Sequence, residues 1–196
     1  MNQHYKVLIT TSGTGQRLGE ITRYTNKALV PLGERPVISR IIEGYPADTE
    51  FVITLGYFGS VLKDFLTLAY PKHKFKFIEI KPYEGPGSSL GYSMLQASRD
   101  LQCPFIFHAS DTIVTSLIPT PDKNWVGGSK GDGSSLYRSF NVLNTKVHKM
   151  NDKGAVDPDF LHIGIVGIHD YQTFWETLKN RYTDNPNDSA LSDVIS

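Results

Sequence analysis

The chain has 196 residues, the size of one ordinary domain, and its 20 Lys plus Arg balance its 20 Asp plus Glu. A formal net charge of zero supplies no global field toward nucleic acid or an anionic membrane, so any bound anion must be captured locally. Cys103 is the only cysteine, which excludes an internal disulfide, and its place beside Phe105, Ile106 and Phe107 reads as packing.

The amino terminus runs into a first strand without the apolar core of a signal peptide, and no later segment is long enough to cross a bilayer. Both points imply a cytoplasmic protein. The first strand is expected over residues 6–11, and the Gly-rich stretch Thr11, Ser12, Gly13, Thr14, Gly15 follows it. Such a stretch turns the backbone sharply and presents N–H donors to an anion. Helical spacing then appears in Val37, Ile38, Ile41 and Ile42 after Pro36, and in Val61, Leu62, Phe65, Leu66 and Tyr70 after Gly59. A third helix carries Leu90, Met94, Leu95 and Leu101. Between these lie strand-like runs at 51–55, 75–80 and 105–108. The alternation predicts βαβ units, a parallel sheet and a mononucleotide-binding half over residues 1–115.

Past Asp111 the texture changes. Residues 127–135 read as a mobile polar loop, residues 136–147 and 160–168 as β-rich, and residues 171–181 as a helix. Residues 116–196 are thus the mixed second half of a single domain over residues 1–196. Its last residues carry Leu191, Val194 and Ile195 with no cap, which implies that the natural chain continues past Ser196.

Spacing narrows the identity of the first loop. The dinucleotide fingerprint needs a glycine where Leu18 stands, and a P-loop needs Gly-Lys-Ser/Thr where Gln16, Arg17 and Leu18 stand. A Gly-rich βα turn with a surface lysine is the structural alternative. The pattern resembles that of the nucleotidyltransferases that activate sugar 1-phosphates and related phosphomonoesters. In them Gly-x-Gly-x-Arg-Leu precedes Pro-Lys-x-Leu-x-Pro; here the two parts are Gly13 to Leu18 and Asn26-Lys27-Ala28-Leu29-Val30-Pro31. Asn26 stands for the family's proline, and Thr11-Ser12-Gly13 for its Ala-Ala-Gly.

The resemblance implies a Rossmann-like α/β fold with a mixed, mainly parallel sheet flanked by helices and a small β-rich acceptor subdomain in the second half. It implies a Mg²⁺-dependent enzyme that transfers a nucleoside monophosphate from CTP, UTP, GTP or dTTP to a sugar 1-phosphate or similar phosphomonoester. Pyrophosphate is released, and the setting is sugar-nucleotide and capsule or polysaccharide biosynthesis. Arg17 and Lys27 would be catalytic, cradling the phosphates with Thr11, Ser12, Gly13, Thr14 and Gly15. Gly85, Gly87, Ser88 and Ser89 would lie against the nucleobase. Asp111, delivered to the sheet edge by an apolar strand, and Asp193 would hold the metal, a hard cation that suits one or two carboxylates plus phosphate oxygens. Lys153 and Gly164 would meet the acceptor. Neither nucleic acid nor membrane is a partner, and an oligomer is compatible with the sequence.

Other readings stand beside this one. Asp111 suits an N-cap or Asx turn, Asp193 an exposed helix carboxylate, and Asp152-Lys153-Gly154 a plain hairpin turn. The same superfamily offers a cytidylyltransferase acting on phosphocholine or another small phosphorylated metabolite, and a non-catalytic nucleotide-sensing or assembly domain. Gly87-Ser88-Ser89-Leu90-Gly91 also fits a hydrolase's nucleophile elbow with Ser89 as nucleophile, although six residues separate Ile80 from Gly87 and no histidine is a favoured base. None of the six histidines has zinc-site spacing, so each reads as packed or solvated.

Overall fold

A strand buried on both faces needs apolar residues at successive positions, and the first half of the chain supplies three such runs, Val7 to Ile9, Phe51 to Ile53 and Phe105 to Phe107. In the computed structural model, which describes residues 4–133 and 135–184, the chain begins with β1 (Lys6–Thr10). The short hairpin β2 (Pro31–Leu32) and β3 (Arg35–Pro36) leads into α1 (Val37–Glu43). β4 (Glu50–Leu55), α2 (Gly59–Ala69), β5 (Lys74–Glu79), α3 (Leu90–Ala97) and β6 (Phe105–Ala109) complete the alternating half. The strands and helices agree with the expected runs to within a few residues.

β1 pairs in parallel with β4 on one side and β6 on the other, and β4 pairs in parallel with β5. The second half adds β7 (Trp125–Ser129), β8 (Ser139–Leu143), β9 (Lys146–Asn151), β10 (Phe160–Ile168) and α4 (Tyr171–Asp184). β10 lies antiparallel to β6, giving the sheet order β5-β4-β1-β6-β10-β8-β9, with β7 also on β10. The sheet is therefore mixed and mainly parallel in its first half, and helices flank it, as expected. Among the described residues no helix is long and apolar enough to cross a membrane.

Alternating side chains feed two cores. Val7, Ile9, Phe51, Ile53 and Ile106 face α1 and α2, meeting Ile38, Ile41, Ile42, Leu62 and Leu66. Leu8, Val52, Phe105, Phe107 and Val166 face the opposite layer, where Met94 of α3 and Phe174, Trp175 and Leu178 of α4 pack. Phe105 stacks on Trp175 with ring centroids 5.1 Å apart, and the indole N–H donates to the Leu101 carbonyl at 2.9 Å. The central strands are thus sandwiched on both faces, which explains their unbroken apolar runs.

Two expectations are corrected here. Residues 127–129, expected in a mobile loop, belong to β7. Glycines there answer to crowding rather than to a turn: a Cβ on Gly127 would run into Ile165, and one on Gly128 into the Phe140 ring. Residues 152–154 do form a turn, but not a hairpin. The loop leads from β9 to β10, and β8 pairs with both of those strands.

Replacing Gly128 by Ala should cost about 1–3 kcal/mol of unfolding free energy through overpacking against the stacked Phe140 and Phe160. At Gly131 a Cβ would meet only Leu161 at 3.6 Å, so Gly131→Ala should stay within about 0.5 kcal/mol of the parent in urea denaturation.

Candidate functional site

Ligands of an open parallel sheet lie beyond the carboxyl ends of the strands. The register brings three of those ends level, since Thr10 faces Thr54 on β4 and Ala109 on β6. The loops after β1, β4 and β6 therefore leave from one edge.

Thr11 and Ser12 are buried and turned into the protein. The Thr11 N–H donates to the Thr54 hydroxyl at 3.2 Å, and the Thr11 hydroxyl donates to the Thr54 carbonyl. The Ser12 carbonyl accepts from the Tyr57 N–H at 3.0 Å, and its hydroxyl lies 3.0 Å from that of Ser93 on α3. Beyond them Gly13 is exposed, with open space where a Cβ would sit. Gly15 has φ +70°, and a Cβ there would stand 3.1 Å from Lys27 Cβ, so the loop closes onto the stem of Lys27. The Gly15 carbonyl accepts from the Thr22 hydroxyl at 3.1 Å and from the Leu18 N–H at 2.9 Å. Arg17 stands exposed on the 3-10 turn Gln16–Thr22.

Lys27 opens a second 3-10 turn, Lys27–Leu29, and Asn26 fixes it. Asn26 is fully buried, and its amide donates to the Thr11 carbonyl at 2.9 Å and to the Tyr57 carbonyl at 2.7 Å. Its side-chain oxygen accepts from the Ala28 N–H at 2.9 Å as an N-cap. The residue that departs from the resembled motif thus ties the lysine to the loops after β1 and β4. Its backbone, φ −69° and ψ 141°, is one that proline also adopts. Sequence reading registered Asn26 only as a departure, although an asparagine preceding a short helical turn is a capping signal.

The consequence of these anchors is one contact. Lys27 Nζ lies 3.5 Å from Asp111 Oδ2, with the lysine mostly covered and the carboxylate 70% exposed. Two positions 84 residues apart, 111 less 27, are brought together at the mouth of the Gly-rich loop. Asp111 follows Ser110, an enclosed residue whose hydroxyl has no partner among the described residues. Among the described residues no group of three His, Cys, Asp or Glu side chains could hold a metal by itself. One accessible carboxylate still fits a hexahydrated-type cation such as Mg²⁺, which takes its remaining ligands from water and phosphate. Asp193, the expected second ligand, lies outside the described residues.

The loop after β5 joins the same edge. Gly85 and Gly87 have φ +79° and +84° with open space around them, so backbone conformation rather than crowding calls for glycine. The Ser88 hydroxyl donates to the Gly85 carbonyl at 2.7 Å. Ser89 is the N-cap of α3, its hydroxyl accepting from the Tyr92 N–H at 3.0 Å, and its carbonyl accepts from the Ser93 hydroxyl at 3.1 Å. Ser93 therefore links this loop to Ser12. Gly56 completes the junction, because a Cβ there would collide with Ser12 and with Tyr83.

Of the residues expected at the acceptor side, Gly164 reaches the site. It has φ +79° at an irregularity in β10, and a Cβ would meet Ala109 at 2.9 Å and the Thr112 hydroxyl at 3.1 Å. Lys153 is exposed on the loop from β9 to β10, while its neighbour Asp152 pairs with Arg138 at 3.0 Å. His162, beside Arg138, has an enclosed Nε2 without a partner among the described residues, and burial, then the charge of Arg138, push its imidazole below the ordinary range.

No family model matches the sequence, and no curated protein matches it. Solved structures do share the fold. The chain is similar to a CTP:phosphocholine cytidylyltransferase from Streptococcus pneumoniae, with a TM-score of 0.78 at 18% identity over 98% of this chain and 84% of that one. It is similar to a UDP-glucose pyrophosphorylase complexed with UDP-glucose, with a TM-score of 0.78 at 17% identity over 97% and 87% of the two chains. An inositol-1-phosphate CTP transferase from T. maritima follows at 0.71 and 14%, over 97% and 79%. At such identities the likeness is one of fold, and the fold is that of nucleotidyltransferases.

Asn26→Ala leaves two carbonyls and the Ala28 N–H without their partner, so unfolding free energy should fall by about 2–3 kcal/mol. Chemical denaturation followed by tryptophan fluorescence measures the loss, and an unchanged midpoint would remove Asn26 from the account of Lys27.

Proposed function

We propose that this protein is a nucleotidyltransferase that moves a nucleoside monophosphate from a triphosphate to a phosphomonoester and releases pyrophosphate. The observation that carries the reading is the approach of Lys27 to Asp111 at 3.5 Å, beside a Gly-rich loop at the carboxyl edge of the sheet. A cation and an accessible carboxylate so placed suit a triphosphate and the divalent cation that accompanies it.

In this reading an oxygen of the acceptor phosphate attacks the α-phosphorus. The bond from the α-phosphorus to the bridging oxygen breaks, and pyrophosphate leaves with the electron pair. The acceptor is already anionic, so the protein's work is to align it and to stabilise the leaving group. The N–H groups of residues 13–15, with Arg17 and Lys27, receive the β- and γ-phosphates. Thr11 and Ser12, buried and bonded within the protein, hold the loop in shape. Asp111 holds Mg²⁺, with Asp193 as the proposed second carboxylate, and the cation when bound neutralises charge on the phosphates. The nucleobase lies against Gly85, Gly87, Ser88 and Ser89, and the acceptor lies toward Gly164 and Lys153. Such an enzyme would work in the cytoplasm, where nucleoside triphosphates are supplied.

A sugar 1-phosphate is the acceptor the motifs support; phosphocholine or another small phosphomonoester, with CTP as donor, is the alternative raised by the departures around Asp152 and Gly154. A non-catalytic sensing domain would not need the Lys27 to Asp111 arrangement. A Ser89 hydrolase is disfavoured because the Ser89 hydroxyl caps α3.

Pyrophosphate release should appear with one of four nucleoside triphosphates when sugar 1-phosphates and phosphocholine are offered with Mg²⁺. Lys27→Ala and Asp111→Asn should each lower kcat by about 10²- to 10³-fold with the fold intact, the scale of losing one preorganised charge-stabilising group. Wild-type turnover in Lys27→Ala would sink the assignment. Loss of activity in Ser89→Ala with Asp111→Asn unaffected would put a hydrolase in its place.

A further inference from the structure

The turn that carries Asp111 is held from beneath by a buried histidine that the reaction itself does not use. His108 lies on β6, 1% exposed, and both of its ring nitrogens are engaged. Nδ1 is 2.7 Å from the hydroxyl of Tyr45, and Nε2 is 3.0 Å from the carbonyl of Thr112. We infer that His108 is a positioning residue: its ring links the Tyr45 hydroxyl to the Thr112 carbonyl and so holds Asp111 opposite Lys27. This rests on the reading of Asp111 given above.

Donor and acceptor chemistry settles the direction of the chain. A carbonyl only accepts, so Nε2 carries the proton and donates to Thr112. In the neutral ring Nδ1 is then an acceptor, and the Tyr45 hydroxyl donates to it. Burial favours the neutral ring, and the same burial keeps Tyr45 protonated. Tyr45 is itself fixed, 7% exposed just past α1 and set edge-on against Phe51 with centroids 5.7 Å apart. The relay therefore begins in the core beneath the site.

Its target is equally constrained. Thr112 donates its N–H to the Ala109 carbonyl at 3.1 Å and its hydroxyl to the Ile163 carbonyl at 2.5 Å, while its carbonyl receives His108. The N–H and the carbonyl of Thr112 are thereby bonded to β6 and its hydroxyl to β10, and Ser110, two residues before it, is enclosed. Asp111 is the exposed residue between these two, and its carboxylate stands opposite Lys27. A leucine or phenylalanine at position 108 would fill the space but leave the Thr112 carbonyl and the Tyr45 hydroxyl unbonded in the interior.

Tyr45→Phe removes one oxygen and retains the ring, so it tests the relay with the least risk to folding. Long-range ¹⁵N–¹H correlation on the wild type should show His108 as the Nε2–H tautomer. In Tyr45→Phe the Thr112 amide should exchange with solvent faster, and kcat should fall about 10- to 100-fold, the usual effect of removing an outer partner of a ligating group. In an Asp111→Asn background the same substitution should bring no further loss of kcat, since it acts through Asp111. An Nδ1–H tautomer, an unchanged Thr112 exchange rate, or an undiminished loss in the Asp111→Asn background would each overturn the proposal. Accelerated Thr112 exchange in Tyr45→Phe, together with a wild type that performs no transfer, would uphold the relay and overturn the functional reading instead.

Discussion

Everything at the candidate site depends on the register of the central strand. β1 is hydrogen-bonded in parallel on both sides, and its last residue, Thr10, stands level with Thr54 and Ala109. Three chain segments must then leave the sheet at one edge, where ladder pairing has ended and backbone groups remain buried. Their polar groups are satisfied by one another. Thr11 bonds to Thr54, Ser12 to Tyr57 and Ser93, and Asn26 to Thr11 and Tyr57. Gly56 allows the close approach that this mutual bonding demands. The loops are thus tied to one another where they meet the sheet, while outer residues such as Gly13, Arg17 and Asp111 stay exposed.

On the proposed reading, that division bears on how a chain of zero net charge would capture a polyanion. No long-range field assists, so the work falls to a few charges with fixed positions. Lys27 and Asp111 neutralise each other across 3.5 Å, and because the carboxylate is largely solvated the pair is only weakly held. On the proposed reading, a triphosphate arriving with its cation replaces one pair by two, phosphate with Lys27 and cation with Asp111. The exchange costs little, since neither group is left in the interior without a partner.

The difference between what could and could not be read from the chain follows the same physical line. Strands β1, β4, β5 and β6 and helices α1 to α4 were legible because burial on both faces of a central strand, or along one face of an edge strand or helix, writes itself into hydrophobic spacing. β7 was not, because Gly127 and Gly128 are required by the proximity of Ile165 and Phe140, residues distant in sequence. In composition alone they are indistinguishable from loop glycines. At the site, Lys27 and Asp111 were legible as motif residues, but their proximity belongs to the fold. His108 reads as a packed histidine in the run from Phe105, and it is packed; its two bonds to Tyr45 and Thr112 depend on contacts that spacing does not encode. The sequence likewise offers no sign that Asp152 is engaged by Arg138.

Asn26 shows why a departure from a motif need not be a departure from its function. A proline before the lysine would hold φ near −65° by covalent restriction, lowering the entropy of the unfolded chain without forming any bond. Asn26 reaches a similar backbone, φ −69°, by another route: three hydrogen bonds from a buried amide to the segments it must align. The two solutions set a similar backbone before the lysine but differ in what they couple. Proline acts on its own dihedral alone, whereas the asparagine makes the geometry of Lys27 conditional on the loops after β1 and β4 being in place. The setting of Lys27 then depends on the Gly-rich loop, so the lysine and that loop are assembled as one unit.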